Sequence, residues 1–380
     1  MKLFEVYPLF NIEPVKAQGS YVFDKDGKKY LDFYGGHAVI SIGHTHPHYV
    51  KRIESQLENI AFYSNSVVIS IQRELADKLG NASGYTDYNL FLINSGAEAC
   101  ENALKLASFH TGKPRVIAFD KAFHGRTSGT LQVTDYAKMK ALFNAGTGSD
   151  FLPLDDLDAV ENELKKGDVA GIIIEGIQGV AGIVEPSVEF LQGLRKLADK
   201  YEAVLILDEV QSGYGRTGKF FAHQHAGIQA DVVTIAKGMG NGFPIGGVLI
   251  NPKFKASAGL LGTTFGGNHL ACAAAMAVLE VMEEENVITN AKMLGDYLIK
   301  EMQELPRIKK ITGRGLMLGV LIEGGKEVRD NLLFKHSIFT GGAANPDILR
   351  LLPPLNITKL ECDMFLNALR AETHNNAANS

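Results

Sequence analysis

Apolar positions along this chain cluster into short β-branched runs separated by amphipathic stretches. Asn89–Ile93, Arg115–Phe119, Val169–Ile174, Ala203–Leu207, Val232–Ala236 and Gly246–Ile250 are continuous rather than alternating, as in strands covered on both faces. Helical periods lie between several of them. In Glu189–Tyr201, Phe190, Leu194, Leu197 and Tyr201 recur on one face. Strand–helix alternation over about 160 residues predicts an α/β fold with a mostly parallel sheet.

Upstream, Ser20–Phe23 and Tyr30–Phe33 flank the turn Asp24-Lys25-Asp26-Gly27, a hairpin signal that ends in Gly35-Gly36. It predicts a small antiparallel unit apart from the main sheet. A helix is expected at Tyr49–Ile60, and after Asn268 the alanine-rich LACAAAMAVLEVMEEE reads as a long helix leaving the sheet. A strand at Met317–Leu321, a helix near Glu327–His336 and the turn-rich GGAANPD complete a smaller α+β domain. The expected division is a large domain at 45–275 and a small one built from 1–44 and 276–380.

Composition narrows the partners. With 46% hydrophobic and 21% charged residues, the 380-residue chain reads as an ordinary globular protein with a large core. Its net charge of −5 provides no footprint for nucleic acid or an anionic membrane, so small molecules are the expected ligands. No apolar run approaches membrane-spanning length, and Glu5 and Pro8 interrupt the place a signal peptide would use. Cys100, Cys272 and Cys362 are widely spaced and suggest neither disulfides nor zinc. A cytoplasmic location is the simplest expectation. In GHTHPHYV, His44, His46 and His48 alternate as strand metal ligands would, but Pro47 breaks the strand and no acidic or cysteine cluster accompanies them. A tight loop is expected there, and no metal site.

Two residues stand out. Asp208 ends one buried run and Lys237 follows another, and strand carboxyl ends in an open α/β sheet share a crevice. A lysine amine there can bind the aldehyde of pyridoxal 5′-phosphate (PLP), while a carboxylate keeps the cofactor's pyridine nitrogen protonated. An acid capping a turn and a lysine at an exposed strand end would account for the same pair. Ser95-Gly96-Ala97 opens a helix directly after the Asn89–Ile93 run, which suits a phosphate, although an ordinary serine N-cap explains it equally well. Phe123 can lie on a flat cofactor, and Arg126 can clamp a carboxylate; as core filler and a surface charge they would need no explanation.

The ordered motifs FHGRT, IIEGIQGVAGI, LILDEVQSGYGRTG, TIAKGMGNGFPIG, GTTFGGN and LRLLPPL closely resemble the class III (subgroup II) PLP-dependent aminotransferases. The resemblance runs from about Ser20 to Thr358 and is greatest to members acting on N-acylornithines in arginine synthesis. It implies fold type I of the PLP-dependent transferases, PLP as cofactor, and a homodimer with shared active sites. Lys237 would hold the cofactor's aldehyde, Asp208 its pyridine nitrogen, Val210 and Phe123 its two faces, and Gln211 its ring hydroxyl. Ser95, Gly96 and Ala97 would surround the phosphate, with Thr264 reaching the neighbouring subunit's phosphate. Arg126 would bind the α-carboxylate of the acylated amino acid beside Thr263, and Arg350 a carboxylate of glutamate or 2-oxoglutarate. The implied reaction moves the δ-amino group of an N2-acyl-L-ornithine, acetyl or succinyl, to 2-oxoglutarate. A 4-aminobutyrate or ornithine aminotransferase, or a glutamate-semialdehyde aminomutase, would share most of these parts.

The chain departs from its relatives at three places. Val180 replaces a glutamate thought to mask the arginine matching Arg350, which would leave that cation available in both half-reactions. His37 stands where an aliphatic residue is commoner and either faces substrate or packs. Cys100 replaces the usual asparagine and reads as a packing change without a role.

Overall fold

The computed structural model describes residues 1–144 and 149–374; the last six residues of the small domain expected at 276–380 lie outside the described residues. Strands β1 (Pro14–Gln18), β2 (Tyr21–Asp24) and β3 (Lys29–Asp32) form an antiparallel meander. β4 (Asn89–Ile93), β5 (Arg115–Phe119), β6 (Ser149–Leu152), β7 (Val169–Glu175), β8 (Val204–Asp208), β9 (Val232–Ile235) and β10 (Gly246–Ile250) form a seven-stranded sheet in the order β4-β10-β9-β8-β7-β5-β6. The pairs from β6 through β9 are parallel, whereas β10 runs antiparallel to both β9 and β4. Every residue of β7, β8 and β9 is buried, which explains their uninterrupted apolar sequence.

Asp208 is the last residue of β8, one position beyond the expected Ala203–Leu207 run, and β9 stops one residue short of Ala236. β6 was not visible in the pattern. It is a four-residue, half-buried edge strand, too short and too wet to show a continuous apolar run.

Downstream, β11 (Ile308–Arg314), β12 (Met317–Ile322), β13 (Ile338–Phe339), β14 (Gly341–Gly342) and β15 (Ile348–Leu351) split between two four-stranded sheets. β11-β12-β15-β14 is antiparallel, while β13 adds parallel to β3. The N-terminal meander is therefore tied to the C-terminal part of the chain, and β14 lies inside the segment read as turn. The alanine-rich helix His269–Glu284 is buried along most of its length and packs on helices Pro47–Asn59 and Ser70–Ser83. Small side chains let three helices approach closely there.

The histidine loop is a packing device. His44, His46 and His48 meet Asp32, Glu285 and Glu280 respectively, so each has the carboxylate that the sequence did not place nearby. The carboxylates differ, which separates the rings rather than gathering them.

Candidate active site

Register places the chemistry. Glu175 pairs with Asp208 across β7 and β8, and Asp208 with Thr234 across β8 and β9, so the ends of three adjacent strands open into one crevice. Three residues beyond Thr234, Lys237 begins a 3₁₀ turn with φ +43°, a left-handed conformation unusual for a lysine. Such backbone costs of order 1–3 kcal/mol and is retained where surroundings over-determine it.

The crevice holds a cavity of ≈430 Å³. Its lining includes Ser95, Gly96, Ala97, Phe123, Arg126, Asp208, Val210, Gln211 and Lys237. Thr263, Thr264 and Arg350 do not line it. Thr263 sits one residue behind the wall, its hydroxyl accepting from Asn94 Nδ2 at 3.4 Å, and Asn94 lines the cavity. Thr264 is exposed. Arg350 lies behind the Gly179–Val180 edge, its Nη1 donating to Gly179 O at 3.1 Å.

Asp208 is almost fully buried, which would favour the neutral acid. Hydrogen bonding outweighs that cost and holds the carboxyl below its ordinary range: His124 Nδ1 lies 2.7 Å from Oδ2, Val210 N–H donates to Oδ1 at 3.0 Å, and Cys100 Sγ–H to Oδ2 at 3.3 Å. Burial pulls the Lys237 amine down from its ordinary range, partly opposed by Asp208 and Glu175. Burial also pushes Glu175 up to about 7, against the charge of His124 and the backbone donors Gly179 N–H and Phe123 N–H. A carboxylate and an amine whose environments move them toward proton exchange now share one cavity.

Two of these contacts were missed by sequence reading. Cys100 is not inert packing, since its thiol touches both Asp208 and Thr234. Its i+4 spacing from Gly96 on the helix Gly96–Thr111 offered a positional hint, but nothing in sequence showed which strand it would face. His124 follows Phe123 and was passed over, although a buried imidazole beside an aspartate orients it.

The helix Gly96–Thr111 points its N-terminus into the cavity, with Ser95 as N-cap accepting from Glu98 N–H at 3.2 Å. The serine caps the helix and also lines the cavity, so the cap does not take it out of the site. Gly96 is required there because a Cβ would come within 2.6 Å of Val210 Cγ1. Gly96→Ala is expected to weaken cofactor retention about tenfold through displacement of Val210 and the first turn; fluorescence titration of the apoprotein with PLP checks this.

The loop after β8 is fixed from behind. Buried Glu209 accepts from Ser212 Oγ at 2.7 Å and from the Ala222 and His223 N–H groups, each at 2.9 Å. Tyr85 meets the other side of His223 at 2.6 Å. The neighbour of Asp208 in sequence thus holds its position without entering the cavity.

The donor set fits PLP. An amine, a buried carboxylate and a helix N-terminus converge, and Gln211 Oε1 and His124 Nε2 are buried without partners among the described residues. Sheet order, strand-end site and this donor set define a PLP-dependent transferase of fold type I. The sequence profile of the class-III aminotransferases matches residues 5–372, and the chain belongs to that PLP-dependent family.

Its relatives include the acetylornithine aminotransferase of Bacillus subtilis (strain 168), 38% identical over 385 residues that span 99% of both proteins. That of Archaeoglobus fulgidus is also 38% identical, over 95% of both. Among solved structures, the ornithine aminotransferase from Toxoplasma gondii ME49 superposes with a TM-score of 0.91 at 27% identity, covering 98% of this chain and 93% of that one. The acetylornithine aminotransferase from Elizabethkingia anophelis gives 0.83 at 29%, covering 97% and 94%.

Proposed function

We propose that this protein transfers the δ-amino group of an N2-acyl-L-ornithine to 2-oxoglutarate, giving the N-acyl-glutamate 5-semialdehyde and glutamate, as a step of arginine biosynthesis. The names of the relatives point to acetyl as the acyl group. The carrying observation is the single cavity in which the Lys237 amine, the Asp208 carboxylate and the Gly96 helix N-terminus meet, with Arg126 at its edge. Bound PLP supplies an electron sink and carries the amino group between the two substrates.

The chain's own residues do the rest. Lys237 would hold the cofactor's aldehyde and, with its basicity lowered by burial, would serve as the base that takes the proton from the substrate carbon. Asp208, fixed by His124, Val210 N–H and Cys100, stabilises positive charge on the ring nitrogen. Ser95, Gly96 and Ala97 would bind the phosphate at the helix N-terminus, Val210 and Phe123 would flank the ring, and Gln211 would offer its unpartnered Oε1 to the ring hydroxyl. Arg126 and Thr263 take the α-carboxylate of the donor, and Arg350 a carboxylate of the acceptor.

Thr264 completes the partner's phosphate site in a homodimer. Support comes from the exposed apolar patch beside it, where Phe62 and Phe265 rings pair at 5.4 Å amid exposed Tyr63, Val67 and Val68. In this reading residues 45–275 form the cofactor domain and 1–44 with 276–380 the smaller one. We also assign the enzyme to the cytoplasm; no helix among the described residues is long and apolar enough to cross a membrane.

Incubating the PLP-loaded protein with N2-acetyl-ornithine, N2-succinyl-ornithine, ornithine and 4-aminobutyrate, each with 2-oxoglutarate, tests the assignment. Glutamate formation with kcat/KM at least about 100-fold higher for an acylated donor is expected, because a site built for a polar acyl group rejects ligands lacking it. Preference for free ornithine or 4-aminobutyrate, or isomerisation without 2-oxoglutarate, would contradict it.

A further inference from the structure

Arg350 is buried and has no carboxylate partner among the described residues. Its donors go to neutral acceptors: Nε to Gly342 O at 2.6 Å, Nη1 to Gly179 O at 3.1 Å, and Nη2 to the Tyr34 hydroxyl at 3.0 Å. Two of the three are backbone carbonyls fixed by the fold. The third is a side-chain hydroxyl.

That hydroxyl has a second engagement. It lies 2.6 Å from His37 Nδ1; with the imidazole as its Nε2–H tautomer, the hydroxyl accepts from the guanidinium and donates its proton to Nδ1. This arrangement requires His37 to be neutral. His37 keeps an exposed face, yet the desolvation of its inner side, together with the charges of Arg350 and Lys237, lowers the imidazole from its ordinary range, and burial raises the Tyr34 phenol. No other titratable group is in hydrogen-bond contact with the imidazole among the described residues.

His37 owes its place to unusual backbone. Gly35, Gly36, His37 and Ala38 all have positive φ, at 55°, 53°, 67° and 64°, making one left-handed turn. At buried Gly35 a Cβ would come within 2.8 Å of Leu352 O. The carbonyl of His37 accepts from Gln211 Nε2 at 3.3 Å, which links the turn to the cofactor cavity. With Val180 in place of an acid, the guanidinium meets a phenol and keeps its charge unpaired.

We propose that Tyr34, backed by His37, is a neutral latch on Arg350 that an incoming substrate carboxylate displaces, making these two residues determinants of dicarboxylate selectivity. The proposal rests on the role given to Arg350 above. An acidic mask would leave a buried carboxylate to be rehoused whenever Arg350 is taken. A phenol leaves none, so displacement costs one hydrogen bond from the guanidinium to a neutral acceptor, and a ligand without a second carboxylate cannot repay it.

The test is equilibrium binding of glutarate and butyrate to the PLP-loaded enzyme by calorimetry, in wild type, Tyr34→Phe, His37→Leu and Arg350→Ala. Removing the competing hydroxyl should tighten glutarate about 3–10-fold in Tyr34→Phe, from the net worth of one hydrogen bond, and more modestly in His37→Leu, with butyrate unchanged in both. Tyr34→Phe keeps the ring that packs against Gly341, so folding should be preserved. Unchanged or weaker glutarate binding in either variant overturns the latch, as does an equal gain for butyrate. Glutarate binding that ignores Arg350→Ala removes the carboxylate role of Arg350 itself, and the latch with it. Binding that needs Arg350 but not Tyr34 removes the latch alone.

Discussion

Lys237→Ala should abolish steady-state transamination, lowering kcat/KM by on the order of 10⁴-fold or more, while the protein folds and still takes up PLP. The loss is large because one amine both anchors the cofactor and moves the substrate proton; no other lysine lines the cavity. Stability should not fall with activity. The amine has no ion-pair partner among the described residues, burial disfavours its charge, and its backbone sits at φ +43°. Removing a desolvated amine relieves a cost, so the melting temperature of the cofactor-free protein is expected to stay the same or rise. Steady-state kinetics beside a thermal melt check both halves. Retained turnover would show that the wrong lysine had been identified, whereas loss of turnover through unfolding would appear as a lowered melting temperature.

Asp208→Asn should lower kcat by about 10²–10³-fold, the range for removing one preorganised electrostatic group from a desolvated site. Shape is preserved while charge is lost. His124, Val210 N–H and Cys100 all converge on this carboxylate, so the amide would meet three partners arranged for an anion. An amide also cannot hold a neighbouring ring nitrogen protonated. The pH dependence of the cofactor's visible absorbance should therefore change in Asp208→Asn, and pre-steady-state kinetics should place the loss in the proton-transfer step. Wild-type kcat would mean that the carboxylate caps the strand and nothing more.

The parts visible in sequence were those whose signal is local. β7, β8 and β9 announced themselves because strands buried on both faces are almost wholly apolar, and Asp208 and Lys237 stood out against that background. β6 did not, because an edge strand four residues long carries too little pattern. What stayed hidden was pairing across long separations. Cys100 meets Asp208 across 108 residues and Tyr34 meets Arg350 across 316, and no periodicity reports either contact. The partners of the histidine loop were hidden in the same way: its carboxylates were present in the chain, but up to 239 residues distant. Val180 was legible as a missing acid, yet its consequence for Arg350 required the left-handed turn at Gly35–Ala38, which sequence only hinted at through Gly35-Gly36.

The most direct test of the central claim is chemical. Borohydride reduction of the PLP-loaded enzyme converts a carbon–nitrogen double bond between lysine and cofactor into a stable secondary amine that mass spectrometry can locate. The structure predicts one phosphopyridoxyl group per chain, on the peptide that contains Lys237. Label on another lysine, or a chain that remains unlabelled after incubation with PLP, would contradict it.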